Sequence, residues 1–391
     1  MEHLMTQKNI FLIIIVIVLL ICLELKFFVE SKSERFTNNS NDLKKNILFK
    51  KCLKYGTHGT LSEIFDKHDI QKCKGKECYD KWNLYIPCGY NNVENELEKI
   101  KISNNKQIIF GIKGCDKIAS KNNIWKLLIE KYGRTQAKKF MPDTYLTQDK
   151  NDMFNFRMNF HPTKLYIMKK NIQRQKGLKI TNNLEEIIKN SGCLSDYRIV
   201  QELLQDPFVL NGRKINLRIY LLIICSKGLV KSYIHNNGFM YYTPKKFIKK
   251  SMEKNVNITS GYVPRQVYKE NPLTLEDFRH WLDKNGFSKD KLDHNIEILF
   301  KNIMNAVVKS LCKIKSLKNN TTFQLFGADV APNKYLEVQL MEINKGPDMG
   351  AKDEKDQNIK IKVQEDMFDL LKVIKGDGKN SFKQVWEFVN Y

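Results

Sequence analysis

Strict alternation along one segment singles out the first residues able to do chemistry. In Lys214-Ile215-Asn216-Leu217-Arg218-Ile219-Tyr220-Leu221 every odd position is aliphatic, so a strand puts Lys214, Asn216 and Arg218 together on the opposite face. Taken alone, that face suits solvent as well as a ligand. Two later segments change the balance. In Phe323-Gln324-Leu325-Phe326-Gly327-Ala328-Asp329 the parity of Phe323, Leu325 and Gly327 ends on Asp329. In Leu336-Glu337-Val338-Gln339-Leu340-Met341-Glu342-Ile343-Asn344 the parity of Leu336, Val338 and Leu340 ends on Glu342 and Asn344, and a turn at Pro332-Asn333-Lys334 would bring the two strands alongside. Two carboxylates and an amide on a face that begins as core are costly unless a cation sits among them. An all-oxygen set suits Mg²⁺, which completes its shell with water and phosphate oxygens. Buried ion pairs to lysine are the competing account.

A further strand, Leu165-Tyr166-Ile167-Met168-Lys169, places Lys169 on the parity of Leu165 and Ile167, ahead of a polar loop that contains Arg174 and Gly177. A lysine at a strand end and a basic loop able to fold over a ligand fit polyphosphate. The chain has no GxxxxGK[ST], GxGxxG or HExxH pattern, so a nucleotide site here belongs to another class.

The elements that must hold these residues alternate along the chain. Strands are expected over 107–112, 165–169, 198–204, 214–225, 323–330 and 335–344, with a hairpin at Asn236-Asn237-Gly238. Helices are expected over 122–132, 183–190, 273–283 and 359–374. A further helix is expected over 292–317, where Ile296, Leu299, Ile303, Val307, Leu311 and Ile314 form one apolar stripe. The pattern predicts an α+β fold with mixed, largely antiparallel sheets.

With these residues in view, a family resemblance emerges. YIMKKNIQRQKGLKI, VQELLQDPFVLNGRKINLRIYLLI, MYYTPKKF and LFGADVAPNKYLEVQLMEINKGPD, with FMPDTYL upstream, resemble in order the blocks of the tubulin-tyrosine ligase family, built on the ATP-grasp fold, over 112–374. The resemblance implies a ligase that joins a carboxylate to an amine through an acyl phosphate, with ATP and Mg²⁺ as cofactors. A free amino acid and an acidic, tubulin-like protein tail would be its substrates. Lys169 would contact the α-phosphate, and Arg174 would reach the phosphates from the loop. Gln201, Glu202, Leu203 and Leu204 would form the adenine hinge, while Lys214 and Asn216 would hold adenine or ribose. Arg218 would neutralise the γ-phosphate and acyl phosphate, making Arg218 and Lys169 the catalytic pair. Asp329, Glu342 and Asn344 would bind Mg²⁺. Lys121 loosely matches a nucleotide-binding lysine of the family. Asn216 stands where the family usually has Asp, Asn236 where it has Arg, Ser260 where it has Asn, and Lys345 where it has Gly or Ser. These departures bear on amino-acid and acceptor binding more than on the metal. They keep a second reading open, that of an ATP-binding pseudoenzyme anchored in a membrane and tethering an acidic partner such as a microtubule.

Composition narrows the classes further. With 391 residues, 42% hydrophobic and 28% charged, the chain is neither collagen-like nor disordered. Its 66 Lys+Arg against 43 Asp+Glu give a formal charge of +23, which favours an acidic partner. Few of the basic residues are Arg, the side chain base readout favours, so nucleic acid is a poor fit. Nine dispersed cysteines do not form a disulfide framework and are expected as ordinary thiols; Cys73 and Cys78 lack the matching second pair of a zinc site. The apolar run within 9–29 predicts a transmembrane signal anchor over 1–30, and basic residues after it put the body in the cytosol. A polar tether over 31–46, an N-terminal lobe over 47–149 and ATP-grasp central and C-terminal lobes over 150–391 complete the expected organisation.

Overall fold

A computed structural model of the chain describes residues 47–51, 59–74, 78–170, 177–260 and 263–389. Residues 47–391 form one compact unit. Four short N-terminal strands come first: β1 (Leu48–Lys51), β2 (Gln71–Lys72), β3 (Leu84–Ile86) and β4 (Ile108–Phe110). A small antiparallel sheet follows, in the order β5 (Thr144–Leu146), β8 (Tyr197–Glu202), β6 (Tyr166–Lys170), β7 (Leu178–Thr181). The rest of the chain adds β9 (Val209–Leu210), β10 (Arg213–Ser226), β11 (Leu229–His235), β12 (Phe239–Tyr242), β13 (Thr321–Pro332), β14 (Val338–Asn344) and β15 (Phe382–Val389). These strands join the first four in one mixed sheet, ordered β15-β11-β10-β13-β4-β3-β1-β2, with β9 and β12 on β10 and β14 on β13.

The centre of the large sheet is the long antiparallel pairing of β10 with β13. Ile215, Leu217, Ile219, Leu221 and Ile223 line one face. They are covered by the helix Lys121–Phe140, through Ile124, Trp125 and Leu128, and by the helix Lys289–Val307, through Leu292, Ile296, Leu299, Phe300 and Ile303. The other face is buried at one end by a chain of aromatic rings, Phe110 on Phe323, Phe323 on Phe368 and Phe368 on Phe65. Each fully buried ring of this kind is worth about 1.5–3 kcal/mol. Residues ahead of β4 are knitted into the same body: Gln364 on the helix Glu354–Leu370 donates to Thr60, and the Thr60 hydroxyl donates to the Met349 carbonyl.

Several expectations are corrected. Asn236-Asn237-Gly238 does not close a hairpin. β11 and β12 both pair with β10, at Leu221↔Ile234 and Arg218↔Phe239, so the segment is a break along one edge. Gly238 is needed there because a Cβ would lie 2.1 Å from the Arg218 carbonyl oxygen. The tight hairpin is one step earlier, at Lys227-Gly228, both at positive φ. The helix expected over 292–317 ends at Val307, where the chain is pulled off its axis: Cys312 takes a positive φ, its N–H donates to the Lys113 carbonyl, and its sulfur is bonded to Cys225. A second disulfide joins Cys73 to Cys78, so these cysteines are not the free thiols expected.

The single-pass membrane location with a cytosolic body is likewise corrected. Among the described residues no helix is long and apolar enough to cross a membrane, because each long helix buries one stripe and gives its other face to charge. The segment 9–29, with the rest of 1–46, lies outside the described residues.

Candidate active site

The register of three strands places Arg218, Asp329 and Glu342 in one row. Arg218 on β10 pairs across with Asp329 on β13, and Asp329 pairs across with Glu342 on β14. One step along, Gly327 lies between Tyr220 and Asn344. The sequence parity of β14 accounts for this only with a correction. Leu340 pairs with Val330 while Glu342 pairs with Asp329, so Met341 is an extra residue, a bulge. Leu336, Val338, Leu340 and Ile343 pack in the core, whereas Glu342 and Asn344 are turned to the face of Asp329. Two strands thus deliver their polar ends to one side, although β14 begins with its apolar side on the other.

Arg218 donates to Asp329 through Nε at 2.7 Å and Nη2 at 3.4 Å, and its guanidinium lies 5.2 Å from the centre of the Tyr241 ring. Gly327 makes room for it, since a Cβ there would fall 2.6 Å from Arg218 Nη1. Burial pushes the Asp329 carboxyl up to about 6; Arg218 opposes this and the neighbouring Glu342 adds to it. Burial acts on Glu342 as well, but Lys121, at 2.7 Å from Oε2, outweighs it and lowers this carboxyl to about 2, helped by Lys169 and by Asn344, whose amide donates at 3.2 Å.

The small sheet supplies the facing cations. Ile167 on β6 stands opposite Gln201 on β8, and the Lys169 ammonium donates to Gln201 Oε1 at 2.6 Å. Gln201 is fixed in turn by donating to Thr144 Oγ1 at 2.7 Å. Burial lowers Lys169 to about 8, with Lys121 and Lys214 adding to the shift and Glu342 opposing it. Lys214, 4% exposed, is lowered to about 8 by burial. No described residue accepts a hydrogen bond from it. On the same face of the small sheet, Leu165, Ile167, Ile180 and Leu203 form an apolar floor.

The remaining expected residues divide. Asn216 lies between Lys214 and Arg218, opposite Tyr241. Glu202 is paired with Lys164 at 2.9 Å, its backbone N–H donates to the Asp143 carbonyl, and the Leu203 N–H donates to Leu165. Leu204 is half-buried at the end of this run. Arg174 lies outside the described residues. Lys345 is engaged by Asp116 and by the Asn91 carbonyl, not by the row's carboxylates. At Asn236, Arg279 from a neighbouring helix donates to the backbone carbonyl at 2.7 Å. Sequence reasoning missed Tyr241 and the Met341 bulge. The position of Tyr241 opposite Asn216 follows from strand pairing, but nothing in the residue types marks the bulge.

Two carboxylates and an amide at neighbouring register positions offer only oxygen donors, and Glu342 raises Asp329 through space, so the pair shares one field. That donor set fits a hard divalent cation such as Mg²⁺. Other clusters serve structure. Glu94, Cys115 and Asp116 converge, but Glu94 accepts from the Gly114 and Asp116 N–H groups and pairs with Lys113, and burial pushes the Cys115 thiol up to about 12. A cavity of about 940 Å³, lined by Ile219, His235, Glu276, Arg279 and Lys362 among others, opens on the Ile219 face of β10, away from the row.

Comparison with known proteins bears on this arrangement. Residues 100–381 match the model of the tubulin-tyrosine ligase family. The chain is 23% identical over 383 residues to "Probable tubulin polyglutamylase ttll-9" of Caenorhabditis elegans, covering 89% of this chain and 85% of that protein. It is 22% identical over 371 residues to "Probable alpha-tubulin polyglutamylase Ttll1" of Tetrahymena thermophila, covering 85% and 86%. Similarity to "Tubulin glycylase 3B" of Drosophila melanogaster, 22% over 202 residues, covers 49% of this chain and 26% of that one.

Proposed function

The chain belongs to the tubulin-tyrosine ligase family of ATP-dependent amino-acid ligases, and from that membership we propose that it joins a free amino acid to a carboxylate of an acidic, tubulin-like protein tail. Relatives named as tubulin polyglutamylases and a tubulin glycylase support this substrate class. The observation that carries the chemistry is the row Arg218, Asp329, Glu342, flanked by Lys121, Lys169 and Lys214.

In this reading the base of ATP lies over the apolar floor of Leu165, Ile167, Ile180 and Leu203, near the 201–204 run, while Lys214 and Asn216 take the base or ribose. Lys169 holds the α-phosphate, with Arg174 as the further phosphate contact that the family resemblance implies. Asp329, Glu342 and Asn344 would hold Mg²⁺, which when bound would supply charge neutralisation for the phosphates. A tail carboxylate oxygen attacks the γ-phosphorus and the bond to the β–γ bridging oxygen breaks, giving an acyl phosphate and ADP. The neutral amine of the amino acid then attacks the acyl carbon, phosphate leaves with the electron pair of the C–O bond, and the proton given up by the nitrogen passes to that phosphate as the amide forms. Arg218, fixed by Asp329 and backed by Tyr241, neutralises the transferred phosphoryl group as the acyl phosphate forms and is consumed. Its contribution is preorganised charge.

Incubating acidic tail peptides with the protein, ATP, Mg²⁺ and mixed amino acids, then weighing the peptides by mass spectrometry, tests the proposal. The expected product is heavier by whole amino-acid residues, and Glu342→Gln abolishes the gain. A wild-type protein that leaves every peptide mass unchanged and forms no ADP overturns it.

A further inference from the structure

The two carboxylates read as metal ligands are already neutralised by cations of the chain itself. Asp329 is held by Arg218 and Glu342 by Lys121, each at 2.7 Å. The two contacts differ in kind. Arg218 is in register with Asp329, seated against Gly327 and Tyr241, and cannot leave without rebuilding the strand face. Lys121 reaches the row from outside the sheet, as the first residue of the helix Lys121–Phe140, with its side chain 32% exposed. A lysine stem of that exposure can release its partner by rotation alone.

The helix gives Lys121 no other reason to be there. A cation in the first turn faces the positive end of the helix dipole, and Ser120 before it makes no capping hydrogen bond. Contact with Glu342 is the compensation. Charge along the row points the same way: four cations, Lys121, Lys169, Lys214 and Arg218, flank the two carboxylates Asp329 and Glu342, an excess of two positive charges in the row itself. A divalent cation entering alone would displace Lys121 and add to that excess. One entering with a polyphosphate is offset by it, and the displaced ammonium gains phosphate oxygens as new partners.

We propose that Lys121 is a counter-ion latch on Glu342, which competes with metal for that carboxylate and makes metal binding conditional on the nucleotide. The latch rests on Glu342 being a metal ligand, as in the proposed function. Mn²⁺ serves as the probe, its free-ion electron paramagnetic resonance signal reporting binding with and without a non-hydrolysable ATP analogue, each read against a protein-free solution holding the same analogue and Mn²⁺. Wild type should bind Mn²⁺ about tenfold or more tightly with the analogue than without it. Lys121→Met should tighten binding without analogue by about tenfold, removing most of that difference, and Lys121→Arg should behave like wild type. If both wild type and Lys121→Met bind Mn²⁺ with the analogue but Lys121→Met binds no more tightly without it, the latch is wrong and the metal site stands. If neither binds Mn²⁺ even with the analogue, the metal site itself is wrong and the latch goes with it.

Discussion

Lys169 and Lys214 are lysines that the fold makes reluctant to carry charge. Burial lowers both to about 8 from the ordinary 10.5, and the only described hydrogen-bond acceptor for either ammonium is the Gln201 amide, which Lys169 uses. Below pH 8 the unliganded protein bears the cost of two buried charges. Between about pH 8 and 10.5 the folded protein has released protons that the unfolded chain still holds, so folding gains stability as pH rises through that window. Nucleotide binding responds with the opposite sign, because the α-phosphate needs the Lys169 ammonium charged. A thermal melt series without ligand should therefore rise across this window while the affinity of a fluorescent ATP analogue falls; Lys214→Met should flatten the first trend in part, and Lys169→Met the affinity trend. An affinity that holds constant through pH 9 would remove Lys169 from the phosphate site.

At the scale of elements, the Met341 bulge decides which way the site faces. In an unbroken β14, Glu342 and Asn344 would follow Leu336, Val338 and Leu340 into the core, since side chains alternate with period two. Deleting Met341 removes the extra residue and makes Leu340 and Glu342 neighbours, so Glu342 and Asn344 should keep the face of Asp329 in a regular strand. The expected result is Mn²⁺ binding in the presence of nucleotide retained, with far-ultraviolet circular dichroism close to wild type; lost binding would mean that more than the facing of Glu342 and Asn344 depends on the bulge. The same feature marks the limit of what was legible in the sequence. Parity and the expected turn brought Asp329, Glu342 and Asn344 together, and parity put Lys214, Asn216 and Arg218 on one face, but that Arg218 stands across from Asp329 is a matter of strand order and register that parity did not reach. It put the β14 residues on the wrong side of their own strand, because a bulge is set by the partner's register and leaves no mark in residue type. Tertiary ties also overrode pattern where the stripe of the 292–317 helix runs on through Leu311 and Ile314 while Cys312 is anchored to Cys225 and Lys113. The short strands β1 to β3 and the edge strand β15 lack the length or alternation to declare themselves.

At the scale of the whole molecule, the site accounts for only two of the 23 excess positive charges. The remainder is spread over lysines elsewhere in the chain, and such a field acts on an acidic tail before it docks. Its contribution should appear in association and not in the chemical step, because exposed charges beyond a Debye length are screened while the buried row is not. Raising the ionic strength from about 0.01 M to about 0.15 M shortens that length from about 30 Å to about 8 Å. Over this range kcat/KM for an acidic tail peptide should fall by about ten- to a hundredfold with kcat nearly constant. The control is a peptide of the same length that keeps one acceptor glutamate and carries glutamine at the other acidic positions. If only the acidic peptide loses kcat/KM, the diffuse lysine charge is recruiting the tail. An equal loss for both would instead assign the salt response to MgATP and leave most of the +23 without a part in substrate capture.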